Sequence, residues 1–211
     1  MTRLLAFVFA SLLSFATWAA GPIVAGKDYF VIDTPLAATP GKVDVVEFFS
    51  YGCPHCRDFN PLVKQWEGKA GGDIAFRKVP VSFGRPAWAR LAGIYYALEA
   101  TGDLAKLDDA AFTAVHGERN TFPTEASVAD WAASKGADRQ KLLDALTGFS
   151  MPNLIRRGDA DATQAKIRGV PAIVVGGKYL INNETTQTYN DIIRVLNELV
   201  AKVRQESAGK K

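Results

Sequence analysis

The feature that most constrains this chain is the tetrapeptide Cys53–Cys56, of sequence Cys-Pro-His-Cys, which holds the only two cysteines among 211 residues. It lies between an apolar run, Val43–Phe49, and an amphipathic stretch, Phe59–Trp66. A disulfide across so small a ring removes only about 2 kcal/mol of unfolded-chain entropy. The pair therefore predicts redox chemistry at the junction of a strand and a helix, rather than a structural crosslink.

The first twenty residues predict an export signal. Arg3 is followed by an almost entirely apolar stretch, residues 4–18, and then by the small residues Ala19 and Ala20, which is the layout of a secretory signal peptide. Cleavage after Ala19 is favoured, because cleavage after Ala20 would place bulky Trp18 three residues before the cut. The alternative is a retained anchor, but the apolar stretch is shorter than the roughly 20 residues of a spanning helix.

Charge and length restrict the remaining possibilities. Lys and Arg total 25 against 22 acidic residues, a balance that gives no reason to propose nucleic acid as a partner, and Lys210–Lys211 is interpreted as a solvated tail. Removing the signal leaves roughly 190 residues, enough for one domain with a substantial core and an inserted subdomain. Export would place the two cysteines in an oxidising compartment.

The hydrophobic pattern predicts a β-α-β unit, a long helical stretch and a final β-β-α unit. β-Branched and aromatic residues indicate strands at Tyr29–Ile32, Lys42–Ser50, Asp73–Ser82, Pro171–Val175 and Lys178–Ile181. Helical spacing indicates a helix directly after the first strong strand, with Phe59–Trp66 carrying its buried face. Further helices are indicated at Ala87–Thr101, Leu104–His116, Thr124–Lys135, Asp138–Leu146, Asn153–Ile167 and Tyr189–Arg204. The first strand-crossover-strand unit favours parallel pairing of its strands.

The two cysteines are expected to have unequal roles. With Cys53 just before a helix and Pro54 in its first turn, the Cys53 sulfur lies at unpaired N–H groups and the positive end of the helix dipole. Both features favour a thiolate, and a protonated His55 would add positive charge. Cys56 lies one turn further along, on the apolar face of the helix, so we expect it to be the buried sulfur and Cys53 to meet the substrate.

Thiolate stability sets the direction of the reaction. A stabilised thiolate stabilises the reduced protein, which makes its disulfide an oxidant and Cys53 a good leaving group. A substrate thiolate would attack Cys53 to form a mixed disulfide, and Cys53 would depart when the substrate closes its own bond. The protein is then left reduced and needs a separate oxidant.

The segment Glu47–Cys56, Glu-Phe-Phe-Ser-Tyr-Gly-Cys-Pro-His-Cys, resembles the active site of the DsbA family, bacterial periplasmic disulfide oxidases of the thioredoxin superfamily. The resemblance extends through the helical stretch, Gly169–Pro171 and the last helix. It implies an α/β thioredoxin-like fold with an inserted helical domain. The expected divisions are a signal peptide (1–19), the first part of the thioredoxin-like domain (20–84), the helical insert (85–167) and the second part (168–211).

The resemblance also implies roles for residues outside the motif. Glu47 would lie beneath the active site and assist proton transfer at Cys56, whereas its pattern alone also fits an edge-strand acid that reaches water. Lys78 matches a lysine near that acid, although an exposed strand lysine is as plausible. Pro171 would be a cis proline facing the cysteines, and Val170 would offer backbone groups to a substrate bound as an added strand.

The function expected from these features is periplasmic thiol oxidation without a cofactor. The substrates would be reduced, newly exported polypeptides, and the resemblance implies reoxidation by a quinone-linked inner-membrane oxidase of the DsbB type. We expect a monomer. A reductase or isomerase of the same fold is the alternative. A zinc module is disfavoured, because structural zinc normally takes four ligands.

No catalytic role is expected for several other aromatic residues and one histidine. Phe49 and Tyr51 flank the motif and could form an apolar docking surface, although ordinary packing explains Phe49 equally well. His116 is assigned no role, as a capping or surface histidine. Core packing is expected for Trp66, Trp88 and Trp131.

Overall fold

The computed structural model describes residues 21–209; the predicted signal peptide and its cleavage point lie outside them. The strands are β1 (Phe30–Val31), β2 (Val43–Phe49), β3 (Ile74–Pro80), β4 (Ala172–Val175) and β5 (Tyr179–Ile181). The helices are α1 (Pro54–Glu67), α2 (Pro86–Thr101), α3 (Leu104–His116), α4 (Glu125–Ser134), α5 (Arg139–Thr147), α6 (Met151–Gln164) and α7 (Tyr189–Ala208). Within these residues, no helix has both the length and the apolar character needed to cross a membrane.

The strands form one mixed sheet in the order β1-β5-β4-β2-β3. The predicted parallel pairing of β2 with β3 is confirmed, and the other neighbours pair antiparallel. Every residue of β2 is buried, because helices cover both faces of the sheet; such strands read as continuous apolar runs. The strand that leads into the cysteine motif is therefore an interior strand, flanked by β4 and β3.

Three apolar clusters build the interior. On one face of the sheet, side chains of α1 and α7 pack against β2 and β4. On the other face, residues of α6 and the following loop pack against β2 and β4. The third cluster joins helices α2 to α6 and includes Phe49, Tyr51 and both cysteines. The cysteine motif thus lies where the sheet meets the helices between β3 and β4.

Polar N-cap residues fix the starts of two helices, α4 and α5. Thr124 accepts a hydrogen bond from the backbone N–H of Ser127, and Asp138 accepts from the N–H groups of Gln140 and Lys141, so both residues cap helices rather than belong to them. Helix α1 begins at Pro54, five residues before the predicted apolar stretch, and continues through Pro61. The helix start therefore falls directly beside Cys53.

Candidate active site

The turn between β2 and α1 presents Cys53 at the helix start. Cys53 is the N-cap residue, with extended backbone (φ −95°, ψ 117°), and Pro54 is the first helical residue. The backbone N–H of Cys53 donates to the Ser50 carbonyl at 3.0 Å, which holds the turn closed. Since no side chain caps α1 at this position, its first N–H groups are available to the Cys53 sulfur.

The two thiols have opposite electrostatic environments. Cys53 is 5% exposed and Cys56 is fully buried, which confirms the predicted order of exposure. A hydrogen bond from Cys56 lowers the pKa of Cys53 to about 6, helped by the backbone N–H groups of Cys56 and His55 and by the charge of His55, and opposed by burial. Burial, followed by the interactions with Cys53, raises the pKa of Cys56 well above its usual range. Only Cys53 is therefore suited to be a thiolate at neutral pH.

The loop before β4 supplies a backbone acceptor at the reactive sulfur. The Val170–Pro171 peptide bond is cis, as predicted. The Cys53 thiol donates to the Val170 carbonyl oxygen at 3.2 Å, across 117 residues of sequence. Val170 and Pro171 therefore adjoin Cys53, which agrees with their expected location.

His55 is exposed and faces α7. Its Nδ1 lies 3.1 Å from the hydroxyl of Tyr189, whose ring packs on Phe59 with centroids 5.7 Å apart. Tyr189 was not among the predicted site residues, since no local sequence pattern connects a residue at the start of α7 with one 134 positions earlier. This contact orients the imidazole beside the motif.

Glu47 and Lys78 are neighbours on β2 and β3, and each interacts electrostatically with Cys56. Glu47 is paired with Lys78 on β3 and with Ile173 on β4, and it is 1% exposed. The alternatives of an edge-strand acid and an exposed lysine are therefore wrong, because β2 is an interior strand and the Lys78 side chain is only 9% exposed. Burial raises the pKa of Glu47 to about 7, against the opposing charge of Lys78.

Lys78 belongs to a network that reaches the helices between β3 and β4. Its ammonium donates to Asn60 Oδ1 at 2.7 Å and to Asp108 Oδ2 at 3.2 Å, and lies 3.7 Å from Glu47 Oε2. The hydroxyl of Tyr51 donates to Asp108 Oδ1 at 2.7 Å. Tyr51 is 1% exposed, so the expected docking surface is wrong at this residue. Asp108 was missed because only the fold brings α3 next to β3.

Helices α2 and α3 also contact the backbone of the active-site turn. The Nε2 atom of His116 lies 2.8 Å from the Tyr51 carbonyl, so His116 is more than a surface histidine. Trp88 is half-buried and packs against the apolar cluster of helices α2 to α6, as expected, and its indole also lies against the turn: a Cβ atom at Gly52 would lie 2.9 Å from its Nε1. Glycine at position 52 thus allows the indole to approach closely.

Comparisons with known proteins agree with this geometry. A family model described as a DSBA-like thioredoxin domain matches residues 44–194. The chain belongs to the DsbA family. The thiol:disulfide interchange protein DsbA of Burkholderia cepacia is 37% identical over 183 residues, 86% of either chain. The crystal structure of Pseudomonas aeruginosa DsbA has a TM-score of 0.83 and 32% identity, covering 90% of this chain and 97% of that one.

Membership in the DsbA family confirms the α/β thioredoxin-like fold with its inserted helices. The relatives named thiol:disulfide interchange protein identify this DsbA-family chain as a thiol:disulfide oxidoreductase. It therefore acts on thiol substrates and with a redox partner. Within residues 21–209, no group of three or more His, Cys, Asp and Glu side chains is placed to hold a metal ion.

The low pKa of Cys53 gives this DsbA-family protein a distinctive pH profile. In the reduced protein we expect the alkylation rate of Cys53 by iodoacetamide to rise with a midpoint near pH 6, whereas an ordinary thiol titrates near 8.5. The companion measurement is the thiolate absorbance near 240 nm, with the oxidised protein as the blank. In a Cys56→Ser variant the midpoint should rise, because the variant replaces the Cys56 thiol, whose hydrogen bond is the largest cause of the lowered pKa of Cys53. A wild-type midpoint above pH 8 would contradict the assignment.

The same shift couples thiolate formation to the stability of the reduced protein. The pKa of Cys53 is lower in the folded than in the unfolded chain. Its stabilising contribution is therefore fully present above about pH 8.5 and is lost as the pH falls through about 6. The disulfide form lacks this contribution. The free energy of unfolding of the reduced protein should therefore rise relative to that of the oxidised protein as the pH increases across that interval.

Proposed function

We propose that this protein is a periplasmic thiol oxidant, which donates its Cys53–Cys56 disulfide to reduced, newly exported polypeptides. The observation that carries the proposal is the asymmetry between the cysteines: Cys53 has a pKa of about 6 beside free helix N–H groups, and Cys56 is fully buried with a raised pKa. A stabilised thiolate favours the reduced protein, so its disulfide has a strong tendency to accept electrons.

The reaction proceeds in two exchanges. A substrate thiolate attacks Cys53 of the disulfide, forming a mixed disulfide and releasing Cys56 as a thiolate, which takes up a proton. A second substrate thiolate then attacks the substrate sulfur of the mixed disulfide and expels Cys53 as its stable thiolate. The substrate loses two electrons and gains a disulfide, while the protein gains two electrons and is left as Cys53 thiolate and Cys56 thiol.

Neighbouring residues have distinct roles in this scheme. Pro54 starts the helix and leaves its N–H groups to the sulfur, and His55 adds positive charge beside Cys53. The backbone of Val170, next to the cis Pro171, is close enough to Cys53 to receive an extended substrate segment as an added strand. Glu47, with Lys78 beside it, exchanges the proton of Cys56.

Reoxidation completes the cycle. A quinone-linked inner-membrane oxidase of the DsbB type would accept the two electrons, and the protein would act as a periplasmic monomer after signal cleavage. The export signal predicted from residues 1–19 and the relatives named DsbA support this placement. A thiolate already formed at Cys53 would attack the oxidase without prior deprotonation.

The reduction potential of the Cys53–Cys56 pair tests the proposed direction. We expect a potential well above that of the glutathione couple, because the Cys53 thiolate stabilises the reduced form. The protein is equilibrated in glutathione buffers, quenched with acid and alkylated, and the oxidised fraction is read by mass spectrometry. A strongly reducing potential would instead assign the same site to a reductase. Faster repair of a scrambled substrate than oxidation of a reduced one would favour an isomerase.

A further inference from the structure

Asp108 is a buried acid of α3 that contacts both the active-site turn and Lys78 of β3. Its Oδ1 accepts a hydrogen bond from the Tyr51 hydroxyl at 2.7 Å, and its Oδ2 accepts one from the Lys78 ammonium at 3.2 Å. Asp108 is only 6% exposed to solvent. Each carboxylate oxygen of Asp108 therefore has its own hydrogen-bond donor.

Glu47 competes with Asp108 for the same cation and is placed less favourably. Lys78 Nζ is 3.7 Å from Glu47 Oε2, farther than from Asp108, and Oε2 of Glu47 is buried without a hydrogen-bond partner. Because one ammonium faces two carboxyl groups, its shorter contact with Asp108 leaves less of its positive charge acting on Glu47. The cost of ionisation then falls on Glu47.

The other titratable groups around Glu47 do not supply a second positive charge that would replace Lys78. The titratable groups that act on it or respond to its charge come from four elements: Lys78 of β3, Asp108 of α3, Cys56 and Glu67 of α1, and Tyr95 of α2. Its partner on β4 is the apolar Ile173. Of these groups Lys78 carries the positive charge, so the position of its ammonium decides the charge state of Glu47.

We propose that Asp108 is a positioning residue for thiol–disulfide exchange: it holds the Lys78 ammonium partly away from Glu47 and so keeps that carboxyl able both to give a proton to Cys56 and to take one back. Substrate oxidation needs the first transfer, when Cys56 leaves as a thiolate and Glu47 becomes a carboxylate. Reoxidation needs the reverse. The proposal rests on the exchange proposed above and assigns the helical insert a part in it.

The test is the titration of Glu47 in the oxidised protein, where neither cysteine ionises. Carboxyl carbons of glutamate are labelled with ¹³C, and the Glu47 signal is assigned by its loss in Glu47→Gln. In Asp108→Asn, Lys78 is free to pair with Glu47, and we expect the midpoint to fall by about one pH unit or more. At a pH above the midpoint, such a shift lowers the protonated fraction of Glu47 about tenfold.

Asp109 provides a matched control, because it removes the same charge from the neighbouring position. Its carboxylate is exposed and accepts hydrogen bonds from Lys64 and Asn60 without contacting Lys78. We expect Asp109→Asn to leave the Glu47 midpoint unchanged. An equal shift in Asp109→Asn and Asp108→Asn would overturn the proposal, because it would reflect the charge of α3 rather than the position of Lys78.

Tyr51→Phe provides a second variant with an expected shift of opposite sign. It removes the hydroxyl donor from Asp108, so Lys78 becomes the main partner of that carboxylate and moves further from Glu47. The Glu47 midpoint should then rise. This variant decides the question if Asp108→Asn does not fold, since an unchanged or lowered midpoint in Tyr51→Phe overturns the proposal.

Single-turnover kinetics connect the titration to the reaction. In Asp108→Asn, the rate of substrate oxidation above pH 7 should fall towards that of Glu47→Gln, and adding Asp108→Asn to Glu47→Gln should cause little further loss. Additive losses would overturn the proposal. Failure of the oxidase function is a separate result: a reducing potential for the wild-type pair would refute that function, whereas the Glu47 titration does not depend on the direction of electron flow.

Discussion

Replacing Cys56 by serine is expected to abolish disulfide donation and to leave Cys53 trapped in mixed disulfides. A single cysteine cannot form the two-electron couple, so oxidation of a reduced substrate should be lost completely. Cys53 keeps its place at the helix start and still attacks substrate disulfides. Without the buried thiol of Cys56, the protein lacks the internal nucleophile that would release the bound chain.

The measurement is non-reducing electrophoresis of the acid-quenched variant with a disulfide-containing substrate. The expected product is a covalent adduct whose mixed disulfide is cleaved by dithiothreitol. Cys53→Ser is the matched control and should form no adduct, because the remaining thiol of Cys56 is buried and has a raised pKa. Loss of bound zinc from Cys56→Ser, without any trapped partner, would instead favour a metal-binding module.

Replacing Glu47 by glutamine is expected to stabilise the oxidised protein by about 3 kcal/mol at pH 8 and above. Burial raises the pKa of Glu47 from an ordinary value near 4.5 to about 7. The folded protein therefore binds more protons than the unfolded chain between these values, and its stability falls as the pH rises through that interval. Glutamine removes the cost of ionisation, and Lys78 keeps Asp108 and Asn60 as acceptors.

Urea unfolding of the oxidised protein between pH 4 and 9 measures this difference. The gain should disappear at and below about pH 4.5, where Glu47 is protonated in both states. Glu118→Gln, at an exposed acid after α3, is the control and should not reproduce the dependence on pH. If Glu47→Gln were the less stable protein at pH 8, the buried ion pair with Lys78 would be net stabilising.

Glu47→Gln should also slow disulfide exchange, because its amide cannot transfer a proton to or from Cys56. Stability and activity should thus change in opposite directions, as expected where a buried ionisable group is retained for chemistry. An unchanged pH profile for exchange in this variant would leave Glu47 as a structural residue only. The measurement is the single-turnover rate of substrate oxidation from pH 5 to 9.

Local patterns were sufficient to predict most of the secondary structure. Helix α3 has the predicted bounds Leu104–His116, since helical periodicity and the flanking glycines act within a few residues. Strand β2 was predicted from its apolar run, and its parallel partner followed from the strand-crossover-strand arrangement of the first unit. The unequal burial of the two cysteines also followed from a local cause, the position of each sulfur on one helix.

The errors concern contacts between elements that are distant in sequence. Tyr51 lies next to the motif and was considered for a docking surface, yet its hydroxyl turns inward to Asp108, 57 residues away. His116 ends α3 as predicted, but no role was expected for it, and its ring reaches the Tyr51 carbonyl. In each case the residue type allowed several environments, and packing of the helical insert against the turn selected one.

The sequence by itself determined the reactive centre, because a Cys-Pro-His-Cys motif at a helix start creates its own field from backbone N–H groups and the dipole of that helix. Tertiary structure alone decided which groups meet that centre: the Val170 carbonyl at 3.2 Å from Cys53, and Lys78 shared between Glu47 and Asp108. Hydrogen bonds and buried charges act over a few ångströms in space, however many residues separate the partners in the chain.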